Sequence, residues 1–177
     1  MTIRDIAGFC PEKAIWQMLA DMGDALTASA TVVIPGEDSI VVDGEHFLLD
    51  GSACDTDTTD TTDTADLVWA LGAMACYMAT GHTVFGGHGR DYQLAHPGVA
   101  LPVMPKDYSA LTPVVQRCMQ YAKEQRMTLP ELRETARQGL ARCAKAARRP
   151  AKAASDRHEK RTDDNNADRW PEEMTAR

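Results

Sequence analysis

The sequence predicts a mainly helical domain with one small β-hairpin, followed by a charged tail. Apolar residues recur at helical spacing in three segments before residue 144, and a fourth segment is apolar on every side. Asp43-Gly44 separates two short apolar runs, which is the strongest short hairpin signal that a sequence offers. After Cys143 the helical spacing ends, and so few apolar residues follow that they cannot offset the entropy lost on ordering. We therefore expect one domain over residues 1–143 and a disordered tail over residues 144–177.

The first predicted helix begins near Pro11, and the hairpin follows it. The apolar stripe of this helix consists of Ile15, Met18, Leu19, Met22 and Leu26. Trp16 lies beside the stripe, and we interpret it as a core residue. Short strands are predicted at residues 40–42 and 46–49, on either side of the Asp-Gly turn.

The second predicted helix covers residues 66–80, which are apolar on every side. Such a helix belongs in the middle of a domain, so we expect it to be buried and Trp69 to be a core residue. Gly81 suits the end of this helix because glycine readily adopts the left-handed conformation found there. At the other end, Asp63 or Thr64 is expected to cap the first free N–H groups.

Residues 51–66 form a polar segment rich in aspartate and threonine. Its acidic residues are Asp55, Asp57, Asp60, Asp63 and Asp66. A calcium loop of the EF-hand type also needs a central glycine and a final glutamate, and this segment has neither. We interpret it as a solvated linker, with a cation site and phosphorylation left open as alternatives. The candidate threonines are Thr58, Thr59, Thr61 and Thr62.

Two further helices are predicted after a loop rich in glycine and proline. One carries an apolar stripe over residues 111–119. The other begins at Thr128, which forms a capping box with Glu131, and its apolar residues continue to Cys143. We interpret the histidines of the loop as surface residues, with a metal cluster as the alternative. They are His82, His88 and His96.

Charge is unevenly distributed along the chain. Residues 1–143 contain 10 Lys/Arg and 19 Asp/Glu, a net charge of −9, whereas residues 144–177 contain 9 and 7, a net charge of +2. An acidic domain is not expected to bind nucleic acid, because that binding needs cations to displace counterions from phosphates. The charge favours a cationic protein surface or a basic peptide as the partner.

The cysteines and the apolar runs indicate the compartment. The five cysteines are odd in number and include no Cys-x-x-Cys pair, which favours free thiols in a reducing compartment. They are Cys10, Cys54, Cys76, Cys118 and Cys143. The N-terminus lacks the pattern of a signal peptide, and the longest apolar run, residues 67–79, is too short to span a bilayer. We therefore expect a soluble, cytoplasmic protein.

Three stretches resemble the C-terminal lobe of a protein kinase. VWALGAMACYMATGHTVFGG (68–87) is similar to its central helix, LTPVVQRCMQYAKEQRMTLPEL (111–132) to its last helices, and IVVDGEHFLLDGS (40–52) to the ribbon before the Asp-Phe-Gly motif. The matching residues of the helical stretches are Val68, Trp69, Leu71, Gly72, Thr80, Gly81, Phe85, Arg117, Cys118, Arg126, Thr128, Glu131 and Leu132. The resemblance covers residues 3–141 and implies a helical, kinase-C-lobe-like domain that has a small hairpin and no N-terminal lobe.

The groups that a kinase needs for catalysis are missing from the matching positions. A kinase holds ATP under an N-terminal lobe, orients the substrate hydroxyl with the Asp of a His-Arg-Asp loop and binds magnesium through an asparagine. Here residues 32–34 stand near the loop, Ser39 stands near the asparagine, and Asp50-Gly51 lacks the Phe of Asp-Phe-Gly. We therefore expect no enzyme activity, no cofactor, and no catalytic or metal-binding residue.

The opening residues resemble the kinase non-catalytic C-lobe domain (KIND), an interaction module that also lacks the N-terminal lobe. The matching residues are Thr2, Ile3, Asp5, Ile6 and Trp16. This resemblance implies a non-catalytic, pseudokinase-like scaffold that binds a partner protein or a basic peptide. The alternative is one half of a split or minimal protein kinase, a phosphotransferase completed by an N-lobe on another chain.

The resemblance also raises a question about Arg126. In kinases the corresponding arginine pairs with a glutamate that ends the activation segment, and no such glutamate is present here. We expect Arg126 to face solvent, with an ion pair to an aspartate of residues 55–66 as the alternative.

Overall fold

A computed structural model describes residues 1–8, 10–28, 34–50 and 63–164, with side chains described as far as residue 148. The described residues form six α-helices and one antiparallel hairpin, which confirms the prediction of a mainly helical chain with a small hairpin. In chain order these elements are α1 (Ile3–Ile6), α2 (Glu12–Ala28), β1 (Ile40–Asp43), β2 (His46–Leu49), α3 (Thr64–Thr80), α4 (Gly89–Ala95), α5 (Thr112–Cys118) and α6 (Leu129–Asp164).

The chain divides into two units, Met1–Leu140 and Ala141–Arg177. This division lies close to the boundary predicted after Cys143, but both positions fall inside α6, which continues as helix to Asp164. Alanine, lysine and arginine make up most of the segment 144–164. These residue types favour helix even where the helix packs on no core. Residues 165–177 lie outside the described part, so disorder in the tail stays a prediction. Among the described residues, no helix has the length and apolar character needed to cross a bilayer.

The hairpin packs on α2 in the first unit. Gly44 has a φ of 61° in the predicted turn, where glycine avoids a steric penalty. Val42 and Phe47 stand opposite each other in the ribbon. Phe47 is buried, and its N–H donates to the Asp21 carboxylate of α2 at 2.9 Å. On the other edge, the Val42 N–H donates to the carbonyl oxygen of Met1 at 2.8 Å, so the N-terminus and α2 enclose the ribbon.

Helix α3 is buried in the first unit, as predicted. Its side chains with less than a tenth of their surface exposed are Leu67, Val68, Trp69, Leu71, Met74, Ala75, Cys76, Met78 and Ala79. The helix begins at Thr64 rather than Asp66, because the Asp63 carboxylate caps it by accepting the Ala65 N–H at 3.1 Å. Gly81 ends it with a φ of 71°, which confirms that prediction.

Two glycines let neighbouring helices approach closely. A Cβ at Gly72 of α3 would lie 2.7 Å from the Cβ of Cys118 on α5. A Cβ at Gly139 of α6 would overlap the indole ring of Trp16, which is wholly buried on α2. Helix α6 begins with the predicted capping box. The Thr128 N–H donates to the Glu131 carboxylate at 2.8 Å, and the Glu131 N–H donates to the Thr128 hydroxyl at 3.4 Å.

Candidate functional site

A groove of about 430 Å³ lies between α1, the beginning of α2 and the hairpin. We call it the N-terminal groove, and its lining residues are Asp5, Ile6, Cys10, Pro11, Lys13, Ala14, Gln17, Val42, Gly44, Glu45 and Phe47. Apolar side chains dominate this lining, whereas three of the residues are charged. The groove combines an apolar surface with a charged rim, which is the usual composition of a binding site.

An exposed ion pair crosses the rim of the N-terminal groove. Lys13 Nζ lies 2.9 Å and 2.8 Å from the two carboxylate oxygens of Glu45, and the side chains are 53% and 78% exposed. The hydrogen bond and the charge of Lys13 hold the pKa of Glu45 below its usual value. The pKa of Asp5 is also lowered, mainly because the Thr2 N–H donates to its carboxylate. Both rim carboxylates are therefore negatively charged at neutral pH.

The thiol in the groove is not suited to nucleophilic chemistry. Cys10 is buried, and its Sγ donates to the carbonyl oxygen of Ile6 at 3.3 Å. Burial raises the pKa of this thiol to about 11, so almost none of it is thiolate at neutral pH. The Tyr108 hydroxyl donates to the Cys10 carbonyl oxygen at 2.7 Å and ties this part of the chain to the body of the unit.

The other described cysteines have similar surroundings. Cys76 and Cys118 are buried, and burial raises the pKa of each to about 12. Cys10, Cys76 and Cys118 are free thiols, as predicted, and Cys143 is half-buried. Cys54 lies outside the described residues.

The N-terminal groove lies in the most acidic part of the described chain. Residues 1–50 contain two Lys/Arg and nine Asp/Glu, a net charge of −7, whereas residues 63–140 contain seven of each. The acidity predicted for the whole domain is thus concentrated around α1, α2 and the hairpin. A cation approaching this part of the surface is attracted by the summed charge as well as by the rim carboxylates.

An ion-pair cluster lies at the beginning of α3, and one of its members, Arg126, is fully buried. Asp66 accepts from Arg126 Nη1 at 3.0 Å and from Lys123 Nζ at 2.7 Å, and Arg90 Nε lies 3.4 Å away. The Arg126 side chain is 0% exposed, and its other N–H groups donate to backbone carbonyl oxygens of Ala65, Gln120 and Tyr121. The expectation that Arg126 faces solvent is wrong. The alternative, pairing with an aspartate of the acidic segment, is confirmed.

Two of the three histidines of the glycine-rich loop lie against the ring of Tyr92. The ring of His96 stacks on Tyr92 with centroids 4.2 Å apart, and the ring of His88 lies 6.0 Å from the same tyrosine. His82 is exposed near the end of α3. In the part of the chain that the structure describes, no three His, Cys, Asp or Glu side chains could together hold a metal ion.

The residues at kinase-like positions are either engaged locally or outside the described part. Ser39 is buried, and its hydroxyl accepts from the Gly36 N–H at 2.7 Å and donates to the Gly36 carbonyl at 2.9 Å. The Asp50 N–H donates to the Ser39 carbonyl at 2.7 Å. Residues 32–33 and 51–62, which include most of the acidic segment, lie outside the described residues.

A second, smaller groove of about 230 Å³ runs along α3. Trp69 lines it while donating its indole N–H to the buried Gln93 amide at 2.9 Å, so this tryptophan is a core residue as predicted. Glu37 also lines the groove and contributes, after burial, to raising the pKa of Tyr77. With a single charged residue in its lining, this groove offers less to a charged partner than the N-terminal groove.

Sequence reasoning did not find the N-terminal groove. Its walls come from residues 5–17 and 42–47, and no local pattern shows that these segments face each other. The available signal was the concentration of acids in residues 1–50. Comparison with known proteins adds no guidance, since no family model and no curated protein matches the chain.

Proposed function

We propose that the chain is a non-catalytic protein-interaction module, a cytoplasmic scaffold that binds a basic peptide or a basic segment of a partner protein. The observation that carries this proposal is the position of the N-terminal groove, which opens in the part of the chain with a net charge of −7. Opposite charge steers association and selects the partner, whereas apolar contact supplies much of the affinity. The same charge repels nucleic acid.

The resemblance to a protein-kinase C-terminal lobe supports the proposal, and we propose that fold relationship as well. The order of elements is compatible with it, because a hairpin precedes a buried central helix and three further helices follow. The Arg126–Asp66 pair is also compatible. It links the end of the acidic segment to the connection before α6, as the Arg–Glu pair does in the kinase lobe.

The local geometry supports a non-catalytic module. The Ser39 hydroxyl, near the position expected for the magnesium-binding asparagine, makes two hydrogen bonds to Gly36. The thiol of Cys10 in the groove is held protonated by burial, which raises its pKa. Neither group is poised to transfer phosphate or to attack a substrate.

Peptide binding tests the proposed function directly. Fluorescence anisotropy would be measured for the full chain with three peptide pools, rich in Lys/Arg, in Asp/Glu or in Ser/Gly, at low and at high salt. We expect saturable binding of the basic pool alone, weakened at high salt because added ions screen exposed charges. Equal binding of all three pools, or binding of none, would overturn the proposal.

Nucleotide binding separates this proposal from the split-kinase alternative. ATP with magnesium should leave the melting temperature of the full chain unchanged, because a ligand stabilises a protein only by binding its folded state. A saturable rise in melting temperature would favour the phosphotransferase alternative instead.

A further inference from the structure

We infer that the N-terminal groove recognises an apolar side chain flanked by an arginine, and that Lys13 holds the place of this arginine until the partner binds. This inference rests on the proposed function and adds the site and the motif. The apolar lining would contact the apolar side chain of the ligand, and Glu45 would bind its arginine.

The apolar part of the inference follows from the lining. Ile6, Ala14, Val42 and Phe47 contribute carbon surface from α1, α2 and both strands. The volume of about 430 Å³ is within the range that holds a ligand group rather than a few waters. Phe47 is buried and anchored by Asp21, so its side of the groove is preformed and little ordering is needed on binding.

The cationic part of the inference follows from the Lys13–Glu45 pair. Both side chains are more than half exposed, so the pair contributes little to stability and a partner can displace Lys13 readily. The two Glu45 oxygens lie at nearly equal distances from one ammonium group, 2.9 and 2.8 Å. A guanidinium presents two parallel N–H donors to such a carboxylate, whereas an ammonium acts as a point charge. The groove should therefore prefer arginine to lysine in the partner.

The occupant we propose is a basic segment of another protein, because charge complementarity favours it. A second copy of this chain would bring its own acidic residues 1–50 against the same surface, and like charges oppose that contact. Sedimentation of the variants described below checks this point. A dimer that the Ala14→Leu substitution dissociates would identify a second copy as the occupant and overturn the inference.

The test uses the full chain and a labelled probe peptide, Gly-Ser-Arg-Arg-Leu-Arg-Ser-Gly. One control peptide has serine in place of leucine, and another has lysine in place of each arginine. Replacing the leucine should weaken binding about tenfold or more, because a buried leucine side chain contributes most of the apolar transfer energy. Replacing the arginines should weaken it about two- to fivefold, which is the range of one exposed, charge-assisted contact.

Three substitutions in the groove test the site itself. Ala14→Leu fills the cleft on a helical position that tolerates leucine, and we expect it to weaken probe binding about tenfold or more. Glu45→Gln should weaken binding about two- to fivefold, and Lys13→Gln should strengthen it about two- to fivefold. Asp43→Asn is the matched control, because Asp43 is an exposed carboxylate of the same hairpin that does not line the groove.

The outcomes separate the inference from the proposed function. If the basic pool binds but Glu45→Gln and Lys13→Gln behave like Asp43→Asn, the inference is wrong and the proposed function stands. If neither the pool nor the probe binds, both are wrong. Thermal melting of Ala14→Leu checks its folding, and the two exposed substitutions keep the test decisive if that variant fails to fold.

Discussion

Residues 1–50 and residues 63–140 use charge in opposite ways. The first region has nine acids, two bases and an exposed Lys13–Glu45 pair beside an open groove. The second has equal numbers of acids and bases, and its central ion pair holds a wholly buried Arg126 against Asp66. The Lys13–Glu45 pair of the first region is therefore available to a partner, whereas the Arg126–Asp66 pair of the second holds elements of the fold together.

This difference makes stability and binding separable by mutation. Removing a buried, hydrogen-bonded side chain takes one partner from its counter-ion and a donor from each carbonyl group that it contacts. This loss is strongly destabilising. Removing one member of an exposed pair leaves the other in water at almost no loss. Substitutions in residues 63–140 should thus act on unfolding, and those around the N-terminal groove should act on binding alone.

Arg126→Met should have the largest effect on stability. It should lower the free energy of unfolding by about 2–4 kcal/mol, because the carbonyl groups of Ala65, Gln120 and Tyr121 lose a charged donor, while Asp66 keeps its contact with Lys123. Denaturant unfolding followed by tryptophan fluorescence measures this. Arg117→Met is the matched control, because Arg117 is exposed and pairs with Glu131 at 3.8 Å. This variant should be as stable as the parent. If the two variants had equal free energies of unfolding, Arg126 would lie at the surface. The two regions would then not differ in how they use charge.

The burial of Arg126 is a feature that the sequence did not predict. Local signals predicted the hairpin turn at Gly44, a cap at Asp63 or Thr64 and the capping box at Thr128, because each depends on residues close in the chain. The burial of Arg126 depends on Asp66, which lies 60 positions away. The N-terminal groove was missed for the same reason, since three separate elements build its walls.

Gly139→Ala should have the next largest effect, at the contact between α6 and α2. An alanine Cβ would overlap the buried indole of Trp16, and overpacking of this kind destabilises by about 1–3 kcal/mol. This loss outweighs the gain of roughly 1 kcal/mol that alanine brings to a helix interior. Gly98→Ala is the control, because a Cβ there meets no other atom within 4 Å. A stabilised Gly139→Ala variant would show that the two helices are farther apart.

The capping box of α6 should contribute less. Thr128→Ala should lower the free energy of unfolding by about 0.5–2 kcal/mol, because the Glu131 N–H loses its acceptor at the start of the helix. Thr128→Ser keeps the hydroxyl and should retain most of the stability. An alanine variant as stable as the serine variant would mean that the cap is not used in solution.

The same cap predicts a dependence on pH. The Thr128 N–H and hydroxyl hold the pKa of Glu131 below its usual value. A carboxylate with a lowered folded pKa stabilises the protein above its unfolded pKa, about 4.3 for glutamate, and this stabilisation is lost as pH falls through the folded pKa. The difference in stability between the parent and Glu131→Gln should therefore be present at neutral pH and vanish in acid. A difference that persists at the lowest pH would contradict this origin.

Lys13→Gln should have the smallest effect on stability, and it tests the comparison from the other side. Lys13 and Glu45 are both mainly exposed, so breaking their pair should leave the free energy of unfolding unchanged within error.

The substitution also removes one of the two bases of residues 1–50, which makes the surroundings of the groove more acidic. The basic probe should bind more tightly as a result, with the larger gain at low salt, where charges act over longer distances. Denaturation and anisotropy would be measured for both Lys13→Gln and Arg126→Met. We expect the first variant to change binding alone and the second to change stability. A Lys13→Gln variant that loses stability without gaining affinity would mean that the pair serves the fold, and the division of roles between the two regions would fail.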